Sequence, residues 1–187
     1  HIGGNVEFRD ILAMDTDYTR NNIAGYSNEL VREEISEEAI CGSLPSGINP
    51  TTYSTPSFTV KEYINDGYKI DLGGRILEVL STPGHTPDAI SLLDINLGLL
   101  WVGDIYYEGP IWLFVPETDL DEFYNSVNNL CNIVPHLRAL YTAHNSPIAQ
   151  PQSLYALKKA LINIKNGTIP GKAISGGRIE YFFQGFS

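Results

Sequence analysis

Three stretches of this chain run apolar and extended, break at a small residue, and end on a side chain that binds metal ions. They are EVLSTPGHTPD, which delivers His85, LLWVGDIYY, which delivers Asp104, and LRALYTAHNS, which delivers His144. A strand end holds a side chain rigidly, and imidazole with carboxylate is the ligand set favoured by Zn²⁺ and similar borderline ions. Pro83-Gly84 before His85 and Gly103 before Asp104 let the backbone turn sharply and bring each ligand forward. Any one of these side chains alone would pass for a hydrogen-bonded loop residue. The ordered set of three points to a shared centre.

The rest of the sequence predicts the frame around these ends. Short β-type runs at 58–64, 68–72, 75–81, 89–94 and 97–103 are divided by turn residues at Asp66-Gly67, Gly73-Gly74 and Asn96, which reads as an antiparallel meander. Asp119, with Glu122 three residues on, has the form of a capping box opening a helix, and Leu120, Phe123, Val127, Leu130 and Val134 share one face. A strand at 137–143, a helix at about 151–165 and a last strand at 178–183 come after it. Ahead of the meander, residues 28–39 read as a helix, with a proline-punctuated loop beyond it to residue 57. Without repeats or a Ser/Gly linker, residues 1–187 read as one domain of class α/β or α+β, a sheet layered with helices.

Composition narrows the function classes. Twelve basic against 22 acidic residues give a net charge of −10, which disfavours nucleic acid as a partner. The acidic run Glu29, Glu33, Glu34, Glu37 and Glu38 reads as a solvated helix face. No tract of about 18 apolar residues offers a transmembrane helix, so no membrane partner is expected. Cys41 and Cys131 form no CxxC pair and read as two buried small hydrophobes, which fits a reducing, cytoplasmic location. The chain begins at His1 rather than Met, so an N-terminal segment, with any targeting signal, is expected to be missing.

In order, TPGHT (82–86), VGD (102–104) and AHN (143–145) resemble the metallo-β-lactamase superfamily, and His1-Ile2-Gly3-Gly4-Asn5 resembles the segment just after the Asp of that family's HxHxDH motif. The resemblance implies an αββα sandwich lacking its N-terminal strands. It also implies a site for two metal ions, zinc first, with iron or manganese as alternatives. It places His85 in the first metal site, His1 and His144 in the second, and Asp104 in both, four of seven ligands. The HxHxD segment that should precede His1 is not in the sequence. Either the chain is the remainder of a longer protein, or it is a degenerate member that never builds the full site.

Two metal ions about 3.5–4 Å apart generate a hydroxide at neutral pH and polarise the carbonyl it attacks. The resemblance therefore implies hydrolysis of an ester, thioester or lactone, with Asp104 bridging the metals and orienting the hydroxide. A carboxylate instead of a thiolate at the GD position argues against antibiotic hydrolysis. Tyr107 resembles the tyrosine that lactone-cleaving members aim at the substrate carbonyl, although packing under the next loop explains it equally and Tyr106 competes for the role. Trp112, Leu113 and Phe114 would suit an acyl chain, a core contact or a homodimer contact. Parts of the sequence resemble members that cleave acyl-CoA thioesters, but Lys61, Lys69 and Arg75 are too scattered to claim a phosphate site. His136 reads as a surface histidine and Asp88 as a turn residue or a partner of a ligand. The alternative to an enzyme is a non-catalytic scaffold that keeps the fold.

Overall fold

A computed structural model describes residues 2–36 and 39–182. Two compact units, His1–Ile64 and Asn65–Ser187, divide the chain. His1, Glu37, Glu38 and the end of the expected strand at 178–183 lie outside the described residues.

In the first unit, strand β1 (Leu12–Met14) leads into helix α1 (Asp17–Asn22), whose N-cap Thr16 accepts a hydrogen bond from the Thr19 N–H. The helix expected over 28–39 is only one turn, α2 (Asn28–Val31). Ser27 supplies no side-chain cap, and Glu29 and Glu33 stand four apart, where like charges oppose helix propagation. The loop beyond is fastened back onto this turn: Asn28 Nδ2 donates to the Pro50 and Tyr53 carbonyls, both at 2.8 Å. Strand β2 (Glu62–Ile64) pairs parallel with β1, so the run at 58–64 does not open the meander. Its alternation encodes the extended backbone but not the partner, because β1 offers only three residues of pattern. Cys41 is exposed, contrary to the expected buried hydrophobe.

The second unit is built on a six-stranded sheet in the order β3 (Lys69–Asp71), β4 (Ile76–Ser81), β5 (Ile90–Asp94), β6 (Leu99–Gly103), β7 (Ala139–Thr142) and β8 (Ile148–Ala149). Neighbours β3 to β6 are antiparallel, as expected of the meander. Strand β7 is parallel to β6, reached through helix α3 (Leu120–Cys131), and β8 is antiparallel beyond it. Consequently β4, β6 and β7 run in one direction and release their C-terminal ends at one edge, where ligands collect in open α/β sheets. These are the three strands that carry His85, Asp104 and His144.

Helix α4 (Ser153–Lys165) joins α3 over one face of this sheet. Phe123, Val127 and Leu130 of α3 and Leu154, Leu157 and Leu161 of α4 close on Leu93, Leu100, Val102 and Leu140. Fully buried side chains such as Phe123, Leu100 and Leu140 each contribute about 1.5–3 kcal/mol from apolar burial. The last expected strand lies outside the main sheet: β9 (Lys172–Ala173) and β10 (Ile179–Glu180) pair as a small antiparallel hairpin. The architecture is α/β, as expected. Among the described residues no helix is long and apolar enough to cross a membrane.

Candidate active site

Asp104 and His144 come just after the last residues of adjacent parallel strands, where Gly103 is in register with Thr142. Gly103 has φ +53°, in the left-handed region that favours glycine, and it turns the chain as β6 ends. Ile105, Tyr106 and Tyr107 are buried immediately afterwards, which anchors the segment carrying Asp104. Opposite, Asn145 adopts φ +61° and donates from Nδ2 to the Glu108 carbonyl at 2.5 Å, while Ser146 Oγ donates to the Glu108 carboxylate. These bonds close the two loops against each other. They leave His144 Nε2 2.9 Å from Asp104 Oδ1, with the carboxylate 33% and the imidazole 47% exposed.

His85 reaches the same edge from β4 through the turn at 82–86. Gly84, at φ +126°, packs so closely on α3 that a Cβ would stand 2.2 Å from the Phe123 backbone nitrogen. Its carbonyl accepts the Asp119 N–H at 2.9 Å, and the Pro83 carbonyl accepts the Ser126 hydroxyl at 2.7 Å. Asp119 caps α3 as expected, accepting from the Asp121 and Glu122 N–H groups. Its own N–H is spent on Gly84 rather than on Glu122 as in a capping box, so the helix start doubles as a clamp for the turn. Asp88 has the expected turn role, accepting the Thr86 hydroxyl at 2.8 Å.

Trp112 joins the two arms through its backbone. Its carbonyl lies 2.9 Å from His85 Nδ1, so the imidazole donates there and leaves Nε2 without a protein partner among the described residues. Its N–H donates to the Tyr107 hydroxyl oxygen at 3.2 Å. The Tyr107 ring meets the His144 ring edge-on, with centroids 5.1 Å apart. Burial pushes the Tyr107 phenol above its ordinary range; the Trp112 N–H opposes this and the Asp104 carboxylate adds to it. The phenol stays protonated at neutral pH, with its oxygen occupied by an incoming N–H and its own proton available to donate. A cavity of about 230 Å³ opens beside it, lined by Tyr106, Tyr107, Glu108, Gly109 and Ile111.

The donor chemistry fits one edge of a metal site. Asp104 Oδ1 and His144 Nε2, 2.9 Å apart, have the spacing of two donors sharing an ion at about 2.0–2.2 Å. Hydrogen bonding of Nδ1 to a carbonyl, as in His85, is the usual way a ligating imidazole is oriented. Even so, among the described residues no three His, Cys, Asp or Glu side chains come together closely enough to hold an ion. Of the side chains expected at the centre, Asp104 and His144 are in contact, and the imidazole of His85 is linked to them through Tyr107 and Trp112. His136 is exposed, as expected.

No protein-family model matches the chain. A metallo-β-lactamase family protein from Thermus thermophilus matches 97% of this chain and 75% of its own at TM-score 0.59 and 16% identity. The chain has the metallo-β-lactamase fold. TTHA1623, solved in a di-iron-bound form, matches 83% of this chain and 69% of its own at TM-score 0.55 and 17% identity. Among curated proteins, acyl-coenzyme A thioesterase MBLAC2 of Gallus gallus is 25% identical over 134 residues, 72% of this chain and 48% of that protein. Its Homo sapiens counterpart is 31% identical over 71 residues, 38% of this chain and 25% of that protein. The chain therefore spans half or less of the length of the curated relatives it matches.

The Trp112 backbone is not legible in the sequence as part of this site, since a carbonyl carries no residue-type signature. Arg178 is equally hidden. It sits in a run that reads only as a strand, and nothing in RIEYFF places it against Phe114, yet its guanidinium carbon lies 3.8 Å over that ring.

Proposed function

We propose that this chain belongs to a metal-dependent hydrolase that cleaves an acyl thioester, with esters and lactones as related substrates. The observation that carries the reading is the Asp104–His144 contact at the ends of two parallel strands, with the Tyr107 phenol against it. The similarity to acyl-coenzyme A thioesterases supports the choice of a thioester.

Asp104, His144 and His85 would hold the metal, zinc on the chemistry of the donors and iron as the alternative suggested by the di-iron neighbour. When bound, such ions make water nucleophilic at neutral pH and polarise the carbonyl under attack. The chain's own groups supply the rest. Asp104 orients the attacking water and accepts its hydrogen bond. Tyr107 donates its proton toward the carbonyl oxygen as negative charge collects there, the task of an oxyanion donor. The water oxygen bonds to the carbonyl carbon, the carbon–sulfur bond breaks, and the sulfur leaves with its electron pair as a thiol after protonation.

One observation favours a second reading, a non-catalytic scaffold: the described donors stop at a pair and a separate imidazole. One experiment decides. Protein purified in the presence of zinc or iron is analysed for bound metal and assayed with palmitoyl-CoA and a lactone, beside His85→Ala and His144→Ala. The enzyme reading expects bound metal, turnover, and a loss of roughly 10²-fold or more in each variant. Turnover unchanged in both variants, or a protein with neither metal nor turnover, overturns it.

A further inference from the structure

The second unit also holds a larger groove that uses none of the residues placed in catalysis. About 630 Å³ in volume, it runs between Leu113–Pro116 on one wall and Arg178 with Ile179 on the other. That is the size of a small-molecule site. Its walls expose apolar surface to water: Phe114 is 39%, Val115 38% and Ile179 59% exposed.

The groove also has a fixed charge. The guanidinium carbon of Arg178 lies 3.8 Å from the centre of the Phe114 ring, and among the described residues no carboxylate pairs with it. A chain of net charge −10 has more carboxylates than cations, yet this guanidinium is held against an aromatic face with no carboxylate partner among the described residues. The planar fork of arginine suits phosphate and carboxylate, and stacking presets its orientation. Leu113 adjoins Trp112, whose backbone bonds both His85 and Tyr107. The wall of the groove and the backbone that links His85 to Tyr107 are thus consecutive in the chain.

We infer that the groove binds the apolar chain of an amphiphilic acyl substrate and that Arg178 is the specificity residue for its anionic group, a phosphate or a carboxylate. This rests on the acyl-hydrolase reading. The test compares three thioesters: palmitoyl-CoA, uncharged palmitoyl-N-acetylcysteamine, and the mono-N-acetylcysteamine thioester of hexadecanedioic acid, whose chain ends in a carboxylate. Arg178→Ala raises KM about tenfold for a charged substrate with kcat unchanged and leaves the uncharged one as it was, and Arg178→Lys recovers part of the loss. A rise confined to the coenzyme A form identifies phosphate; one confined to the diacid form identifies carboxylate. Val115→Asp removes the preference for palmitoyl over acetyl thioesters. KM values in Arg178→Ala that match the wild type for both charged substrates, or a chain-length preference untouched by Val115→Asp, overturn the inference while the hydrolase stands. If no thioester is cleaved, binding of a palmitoyl-CoA thioether decides: tenfold weaker binding to Arg178→Ala supports the groove and leaves only the hydrolase reading to fall, and equal binding overturns both.

Discussion

The two edges of the six-stranded sheet each carry an aspartate, and they treat it in opposite ways. Asp94, at the end of β5, is fully buried; its carboxylate accepts the Leu97 N–H at 3.0 Å and Arg75 Nε at 2.5 Å. The Leu97 N–H first, and then Arg75, hold its carboxyl below the usual range. Arg75 lies 5.4 Å from the Trp101 ring, which stacks on Tyr141, so the anchor extends across β6 and β7. Asp104, at the other edge, faces an imidazole and remains a third exposed. Arginine is a permanent cation with a fixed fork of donors, whereas the imidazole meets Asp104 through one ring nitrogen. A carboxylate that holds the fold is closed off by partners that do not leave. The one proposed here to do chemistry is left partly open, against a single imidazole nitrogen.

The largest test of this contrast is Asp104→Asn. It should lower kcat/KM for a thioester by roughly 10²–10³-fold, with little change in the denaturation midpoint. Equal losses of activity and stability would erase the distinction between the two edges. Next is Gly84→Ala, which puts a Cβ into the backbone of α3 at a φ that L-residues avoid. A loss of about 3 kcal/mol in urea unfolding is expected, against about 1 kcal/mol for Gly74→Ala, where a Cβ meets open space. Similar costs would mean that α3 does not clamp the His85 turn.

Tyr107→Phe removes the phenol but leaves the ring on His144; kcat should fall about tenfold with KM nearly constant, and undiminished activity removes Tyr107 from the mechanism. The smallest effect on activity is expected of Asp94→Asn. Because the native carboxyl titrates below its unfolded value of about 3.9, it stabilises the fold above that pH, and this stability is lost as the pH falls through the native value. The variant should unfold at lower temperature near neutral pH and lose less on acidification toward pH 3, which thermal melts across pH would show.

The legible parts of the molecule are those in which local pattern and tertiary role agree. The runs that form β4 to β6 are bounded by turn residues, and the chemistry-bearing side chains stand next to Gly or Asn, so both strands and ends can be read. The α3 stripe of Phe123, Val127 and Leu130 is equally plain, because a buried helix face repeats at its own period. The illegible parts depend on partners. Residues 28–39 look helical until Glu29 and Glu33 are placed on the same side of a helix. The pairing of β2 with β1 joins strands about fifty residues apart through three-residue matches. His85 reads as a ligand from its turn, but the group that orients it is a carbonyl 27 residues away, reached by a loop whose path no periodicity encodes.

Because Trp112 meets His85 and Tyr107 with its main chain, the spacing between imidazole and phenol does not depend on which side chain stands at that position. The exposed indole can be exchanged without breaking either link. Only proline, which has no N–H, would cut the tyrosine loose while leaving the histidine its acceptor. At this position the part of the molecule that touches solvent and the part that sets the geometry are uncoupled, so new acyl groups could be accommodated there without realigning the residues that would cleave them.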